Sequence, residues 1–303
     1  MAFETVGWIG TGVMGAAMCG HLLKAGYKVH VFNRSREKAE RLIAEGATWC
    51  DGPAAVARRS RIVFVMVGFP QDVEQVVLGP DGVINAGAPG TVVVDMTTSS
   101  PDLAVRIHRR ASAAGAASLD APVSGGDTGA RQASLSIMAG GDAAVFERVL
   151  PLFRLMGKNI RLMGGPGAGQ HTKMSNQILI AGTMIGVAES LLYGYKAGLD
   201  LNALIDVIGR GAASCWSINN LGRRIVDQDF EPGFYVKHFV KDMGIALNEA
   251  GRMNLCLPGL ALVHQFYTAA VACGLEQKGT QALYKVLENL SGVREKTDEN
   301  RPE

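Results

Sequence analysis

The segment that most restricts how this chain can fold lies near its start. Thr5 to Gly10 (TVGWIG) is a short apolar run ending in glycine, and Gly10-Thr11-Gly12-Val13-Met14-Gly15 continues it as G-x-G-x-x-G. From Val13 to Ala25 apolar residues recur at helical spacing, with Met14, Met18, Leu22 and Leu23 on one side, and Gly26 stops the run. The glycine pattern alone is weak, but between a strand and a helix it describes a turn that can receive a pyrophosphate. Gly10 permits the tight turn, Gly12 lets a phosphate approach the backbone, and Gly15 lets helix and strand pack closely. The helix N-terminus offers N–H groups and partial positive charge. Gly10, Thr11, Gly12, Val13, Met14 and Gly15 are therefore candidate cofactor-binding residues.

The same alternation continues. Lys28 to Asn33 (KVHVFN) alternates as a second strand, and Arg36 to Glu45 predicts a helix ended by Gly46. Arg61 to Val67 (RIVFVMV) and Thr91 to Asp95 (TVVVD) are near-continuous β-branched runs, as expected of parallel strands buried on both faces. Ser118 to Asp120, Leu135 to Ala139 and Asn159 to Leu162 are further strands. Strand-helix-strand order at this spacing predicts an α/β, doubly wound parallel sheet of the Rossmann type. After Gly164 to Gly169 (GGPGAG) the pattern turns helical: Gln170 to Ala197, Leu201 to Arg210, Val236 to Asn254, Leu260 to Cys273 and Thr280 to Leu290. The first of these would span roughly 42 Å at ~1.5 Å per residue. Its Gly182 and Gly186 offer a surface for close packing against another helix. The expected organisation is a nucleotide-binding domain over 1–164, an all-helical domain over 165–292 and a polar, frayed tail over 293–303.

Composition removes several classes of function. The 303 residues, at about 150 per domain, suit two domains. With 48% hydrophobic residues the chain has ample apolar surface for a core, which excludes a disordered chain. A net charge of +2 leaves no electrostatic footprint for nucleic acid. The five cysteines include no C-x-x-C pair, so no disulfide framework or zinc knuckle is expected, and a reducing, cytoplasmic setting fits. No metal-ligand spacing occurs among the six histidines. No uninterrupted apolar run approaches the ~18 residues of a membrane helix. The closest, Ile178 to Leu192, carries Glu189.

The end of the second strand separates the two nicotinamide coenzymes. Units that bind NAD usually place a carboxylate there, on the ribose 2′-hydroxyl. Here Asn33-Arg34-Ser35 stands in that place, with Arg36 and Lys38 following. Arg34 can hold a 2′-phosphate through two charge-assisted hydrogen bonds. NADP(H) is therefore the expected coenzyme, with NAD(H) as the other one such a turn can take.

Two later segments carry chemistry. Asp120-Ala121-Pro122-Val123-Ser124-Gly125-Gly126 leaves a strand as a glycine-rich loop, whose N–H groups and hydroxyl suit an anion such as a carboxylate. Gly167-Ala168-Gly169-Gln170-His171-Thr172-Lys173-Met174-Ser175-Asn176-Gln177 opens a helix with Lys173, Asn176 and Gln177 on one face. A lysine flanked by two neutral amides can donate a proton and clamp a substrate. Taken alone, a helical lysine is more often a solvated surface residue.

Taken in order, these segments resemble the β-hydroxyacid dehydrogenases, which include 3-hydroxyisobutyrate dehydrogenase, tartronate semialdehyde reductase and NADPH-dependent glyoxylate/succinic semialdehyde reductases. The resemblance runs from Val6 to about Leu290. It rests on G-x-G-x-M-G, Asp95-Met96-Thr97-Thr98 with Pro101, Asp120 to Gly126, Gly167 to Asn176, and Pro232-Gly233-Phe234 followed by Lys241-Asp242. It implies that Lys173 is the catalytic lysine, and that Ser124, Gly125 and Gly126 bind the substrate carboxylate with Asn176 and Gln177 beside them. It implies that Thr98, Met66 and Val67 lie on the nicotinamide side, that Lys241 reaches the cofactor with Asp242 in support, and that Arg34 and Lys38 are the basic positions of NADPH-preferring members. A homodimer or homotetramer through the helical domain is implied too.

Two positions depart from the common pattern. Gln177 stands where many members have asparagine, as in tartronate semialdehyde reductases, and Met66-Val67-Gly68-Phe69-Pro70 stands where many have M-L-P. The expected activity is reduction of a short aldehyde acid such as glyoxylate, succinic semialdehyde or tartronate semialdehyde. The alternatives are an NAD-dependent 3-hydroxyisobutyrate-type dehydrogenase running oxidatively, and a non-catalytic interaction module of the same fold. The presence of Lys173 weighs against the last.

Overall fold

The structure, a computed structural model, describes residues 4–293. Its contacts divide the chain into two compact units, Met1–Ser175 and Asn176–Glu303, the division falling inside the long helix Ala168–Lys196. The first unit holds one sheet. Its strands are β1 (Val6–Ile9), β2 (Val29–Phe32), β3 (Thr48–Trp49), β4 (Ile62–Val65), β5 (Val92–Asp95), β6 (Ala117–Asp120), β7 (Val123–Ser124), β8 (Leu135–Gly141) and β9 (Gly157–Gly164). They are ordered β3-β2-β1-β4-β5-β6-β8-β7, with β9 paired to β8. The six-strand stretch from β3 to β6 is parallel throughout, in the order of a Rossmann sheet.

The β-branched strands explain the two-sided core. Val6, Trp8, Ile62, Phe64, Val92 and Val94 point into one apolar layer, while Ile9, Val63, Val65 and Val93 point into the other. That period of two, apolar on both sides, is what a sheet covered by helices on each face requires. Trp8 stacks on Phe64 at 5.3 Å between ring centroids, and its indole N–H donates to the carbonyl of Gly10 at 2.8 Å. The largest buried side chain thus also braces the glycine turn.

The sheet is not parallel to its end. β8 runs antiparallel to β6 and to β7. The chain returns from β6 through a two-residue strand and the six-residue helix Gly126–Arg131 instead of a full crossover helix, so β8 comes back beside β6 in the opposite direction. β3 and β7, two residues each, carry no periodicity that sequence alone could reveal.

The second unit is helical, with Leu201–Ile208, Val236–Arg252, Pro258–Ala272 and Leu283–Leu290 where the apolar spacing predicts them. A π-helical segment, Ser217–Gly222, running into Arg223–Val226, was not expected. The long helix buries Ala188 and Leu191 in a core shared with Ile205, Ile225, Tyr284 and Leu287. By length and composition alone this helix could cross a membrane, and its buried face is what packs into that core. A Cβ added at Gly182 or Gly186 would meet nothing among the described residues, so the close packing expected of them is not made among those residues. Val293 closes the core edge, and the remainder of the expected tail, 294–303, lies outside the described residues.

Candidate active site

The strand order reverses between β1 and β4, and in open sheets of this kind ligands bind at the carboxyl ends of the strands beside such a reversal. The G-x-G-x-x-G turn leaves β1 at that point. Gly10 has φ +98°, and a Cβ there would run into the carbonyl oxygen of Met66 after β4. A Cβ on Gly15 would strike the carbonyl oxygen of Gly10. Gly12 differs: its backbone is extended and a Cβ would meet open space. It caps the helix Val13–Lys24 without any side-chain hydrogen bond, and no acidic residue occupies the first turn. The hydroxyl of Thr11 is buried with no hydrogen-bond partner among the described residues. Open space above bare helix N–H groups, beside an unsatisfied hydroxyl, fits a phosphate-bearing cofactor.

These glycines predict separable effects. Gly15→Ala should lower the melting temperature, because backbone must shift. Gly12→Ala should melt normally yet weaken coenzyme binding about ten- to hundredfold, the effect of about 1–3 kcal/mol of crowding against the phosphates. Coenzyme titration by fluorescence alongside thermal melts checks both, and unchanged coenzyme affinity in Gly12→Ala would count against this cradle.

The other candidates on this side are tied to the turn. Asn33 Oδ1 accepts from the N–H of Thr11 at 2.9 Å, and its Nδ2 donates to the carbonyl of Ser35 at 2.8 Å. Its amide therefore shapes the turn. Arg34 is 90% exposed, with its guanidinium 3.8 Å from Asp72 Oδ1. Ser35 caps the short 3₁₀ segment Arg36–Ala39 that includes Lys38. Arg36 lies over the Trp49 ring at 5.3 Å. Met66 and Val67 follow β4, and the N–H of Val67 donates to Thr97 Oγ1 at 3.0 Å, beside Thr98. Ser124 is half-buried and Gly125 exposed, ahead of Gly126 and the helix it begins.

Lys173 is only 7% exposed, which removes the solvated-surface alternative. His171, two residues earlier, is exposed. The helix carrying Lys173 begins against Asp120, whose two carboxylate oxygens accept from the N–H groups of Gly167 and Gln170, both at 2.8 Å. Burial pushes the Asp120 carboxyl above the usual carboxylate range, with these hydrogen bonds opposing the shift.

In the second unit, Gln177 Nε2 donates to Asp242 Oδ2 at 2.7 Å, and Asn176 Nδ2 donates to Gln177 Oε1 at 2.7 Å. Lys241 Nζ lies 3.1 Å from Asp242 Oδ1. A carboxylate only accepts, so Asp242 dictates which way the Gln177 amide faces. Gln177, expected beside the substrate, has its amide oxygen hydrogen-bonded to Asn176 and its amide nitrogen to Asp242. Sequence reasoning assigned no role to Gln170 or Asp72. Gln170 lay inside a quoted motif, and a buried glutamine at the first turn of a helix has no signature in spacing.

Residues 5–165 match the family described as the NAD binding domain of 6-phosphogluconate dehydrogenase, and residues 167–287 match the family described as NAD-binding of NADP-dependent 3-hydroxyisobutyrate dehydrogenase. The chain is 54% identical over 289 residues to Probable 3-hydroxyisobutyrate dehydrogenase-like 1, mitochondrial, of Arabidopsis thaliana, covering 95% of this chain and 86% of that protein. It is 40% identical over 283 residues to the 2-hydroxy-3-oxopropionate reductase of Escherichia coli, covering 93% and 97%. Among solved structures, Mycobacterium tuberculosis 3-hydroxyisobutyrate dehydrogenase with L-serine superposes with a TM-score of 0.86 at 29% identity, over 94% of this chain and 99% of that one.

Proposed function

The chain belongs to the β-hydroxyacid dehydrogenase family, NAD(P)-dependent enzymes acting on CH–OH donors, and from that premise we propose that it is an NADP(H)-dependent reductase of short aldehyde acids. The observation that carries the reading is the buried Lys173, one turn into a helix in the same unit as the glycine cradle. When bound, the nicotinamide coenzyme supplies the hydride for the carbonyl carbon, or accepts it in the oxidative direction. Lys173 Nζ delivers the proton to the carbonyl oxygen and recovers it from the hydroxyl in reverse. Ser124 and the N–H groups of Gly125 and Gly126 hold the substrate carboxylate. Asn176, set by Gln177 and Asp242, orients the reacting oxygen. Met66, Val67 and Thr98 would be the residues on the nicotinamide side, and Lys241 would be a further cofactor-binding residue, as the family resemblance implies.

A small carboxylate is favoured by the relatives, one named for 2-hydroxy-3-oxopropionate and another crystallised with L-serine, itself a 3-hydroxy acid. The NADP(H) preference is supported by the exposed Arg34 and by the absence of a carboxylate at the end of β2. A panel of glyoxylate, succinic semialdehyde, tartronate semialdehyde, methylmalonate semialdehyde and 3-hydroxy acids, assayed with both coenzymes, tests the assignment. Turnover confined to 3-hydroxy acids with NAD would favour the oxidative alternative. The five free cysteines suit a reducing compartment such as the cytoplasm.

The oligomer belongs to the same proposal. Leu179 and Tyr193 on the long helix are 68% and 77% exposed, and Gly182 and Gly186 between them face open space. A second copy docked on this stripe would bury it. Leu179→Asp should convert the protein to monomer by light scattering, and a monomeric wild type would contradict the expectation.

A further inference from the structure

We propose that Asp120 and Gln170 are positioning residues for catalysis, holding the start of the long helix so that Lys173 and the backbone around Thr98 take a single relative placement. This rests on the reading of Lys173 as the proton-transfer group.

The geometry is specific. Asp120 ends β6 and is 4% exposed. One carboxylate oxygen takes the N–H of Gly167, ahead of the helix, and the other takes the N–H of Gln170, inside it. Two bonds from one rigid group fix both the direction and the rotation of the first turn. Gln170, fully buried, then grips the loop after β5 on both sides of Thr98: its Nε2 donates to the carbonyl of Thr97 at 2.8 Å, and its Oε1 accepts from the N–H of Ser99 at 3.0 Å. Lys173 is three residues further, on the next turn.

The junction has no slack. A Cβ on Gly140 of β8 would lie 2.6 Å from the N–H nitrogen of Gly169 and 2.7 Å from Asp120 Oδ1. A Cβ on Gly169 would strike the carbonyl oxygen of Met138 and lie 2.7 Å from that of Asp120. Backbone therefore meets backbone where β6, β8 and the helix converge.

A carboxylate is a poor choice here for stability alone. Burial disfavours its charge despite the N–H bonds, and neutral side chains cap helices nearly as well. What the carboxylate adds is two acceptors pointing at two donors. Catalytic groups lose rate steeply when displaced by an ångström, so a tie of this kind acts on rate before it acts on folding.

The test is a double-mutant cycle on the full-length enzyme, with active sites counted by NADPH titration. Asp120→Asn keeps the shape and one acceptor but turns an amide N–H toward a backbone N–H. Its kcat per coenzyme-binding site should fall about ten- to hundredfold, with coenzyme Kd unchanged. Adding Lys173→Ala should bring little further loss beyond Lys173→Ala alone, because Asp120 acts through that amine. A purely structural role would lower the melting temperature or the number of sites while leaving kcat per site intact, and that result overturns the proposal. So does full additivity. If Asp120→Asn does not fold, Gln170→Met, which removes both grips on the Thr98 loop, decides by the same cycle. Wild-type kcat in Lys173→Ala would instead sink the reading of Lys173.

Discussion

Replacing Lys173 by alanine should lower kcat at least about a hundredfold while leaving coenzyme affinity unchanged, since general acid–base catalysis contributes about 10²- to 10⁴-fold. The two quantities separate because the coenzyme's phosphates are held by the glycine turn after β1, in which Lys173 takes no part. Lysine is among the residue types least often buried, and here it is buried to 7% exposure. A side chain kept out of water against that tendency needs a reason, and proton transfer is one that an apolar residue in its place could not supply. Lys173→Arg sharpens the result. Arginine preserves positive charge but does not release its proton in proteins, so a variant as slow as alanine points to proton transfer. Substantial recovery by arginine would show that charge stabilisation of the developing alkoxide is the larger contribution. Near-wild-type kcat in the alanine variant would end the catalytic assignment.

The second large effect concerns the coenzyme. Arg34→Ala should raise the KM for NADPH roughly ten- to hundredfold, equivalent to hydrogen bonds to a charged group worth about 1.5–3 kcal/mol, and leave that for NADH nearly unchanged. The guanidinium is 90% exposed, and its nearest carboxylate, on Asp72, is 3.8 Å away. An exposed pair at that distance holds its partners weakly, so Arg34 can leave Asp72 for a 2′-phosphate. Asp72 is occupied in any case, because its other oxygen accepts from the N–H of Phe69 at 3.1 Å. A wild-type KM lower for NADH than for NADPH, or an Arg34→Ala variant with unaltered NADPH kinetics, would defeat the preference.

Much of the first unit was legible before any coordinates. Ile62–Val65 and Val92–Val94 are apolar at every position, a pattern expected of strands covered on both faces. The glycine turn could be read because each glycine answers a separate steric demand, and an added Cβ meets backbone at Gly10 and Gly15 but empty space at Gly12. Thr48–Trp49 and Val123–Ser124 escaped notice because two residues hold no period. The reversal of β8 escaped for a different reason: strand direction is set by the length and path of the connection, which apolar spacing does not encode.

The amino-acid order by itself determined which backbone could approach a phosphate, which strands would be buried on both faces, and which helix would carry a lysine with two amides on one side. These are local properties, set by missing Cβ atoms, side-chain periodicity and the 3.6-residue turn. Only the tertiary structure decided that Lys173 is buried, that Asp120 and Gln170 grip segments distant in sequence, and that Gln177 is already engaged by Asp242. Burial and hydrogen-bond partnership depend on what the rest of the chain brings alongside, and no window of neighbouring residues contains that information.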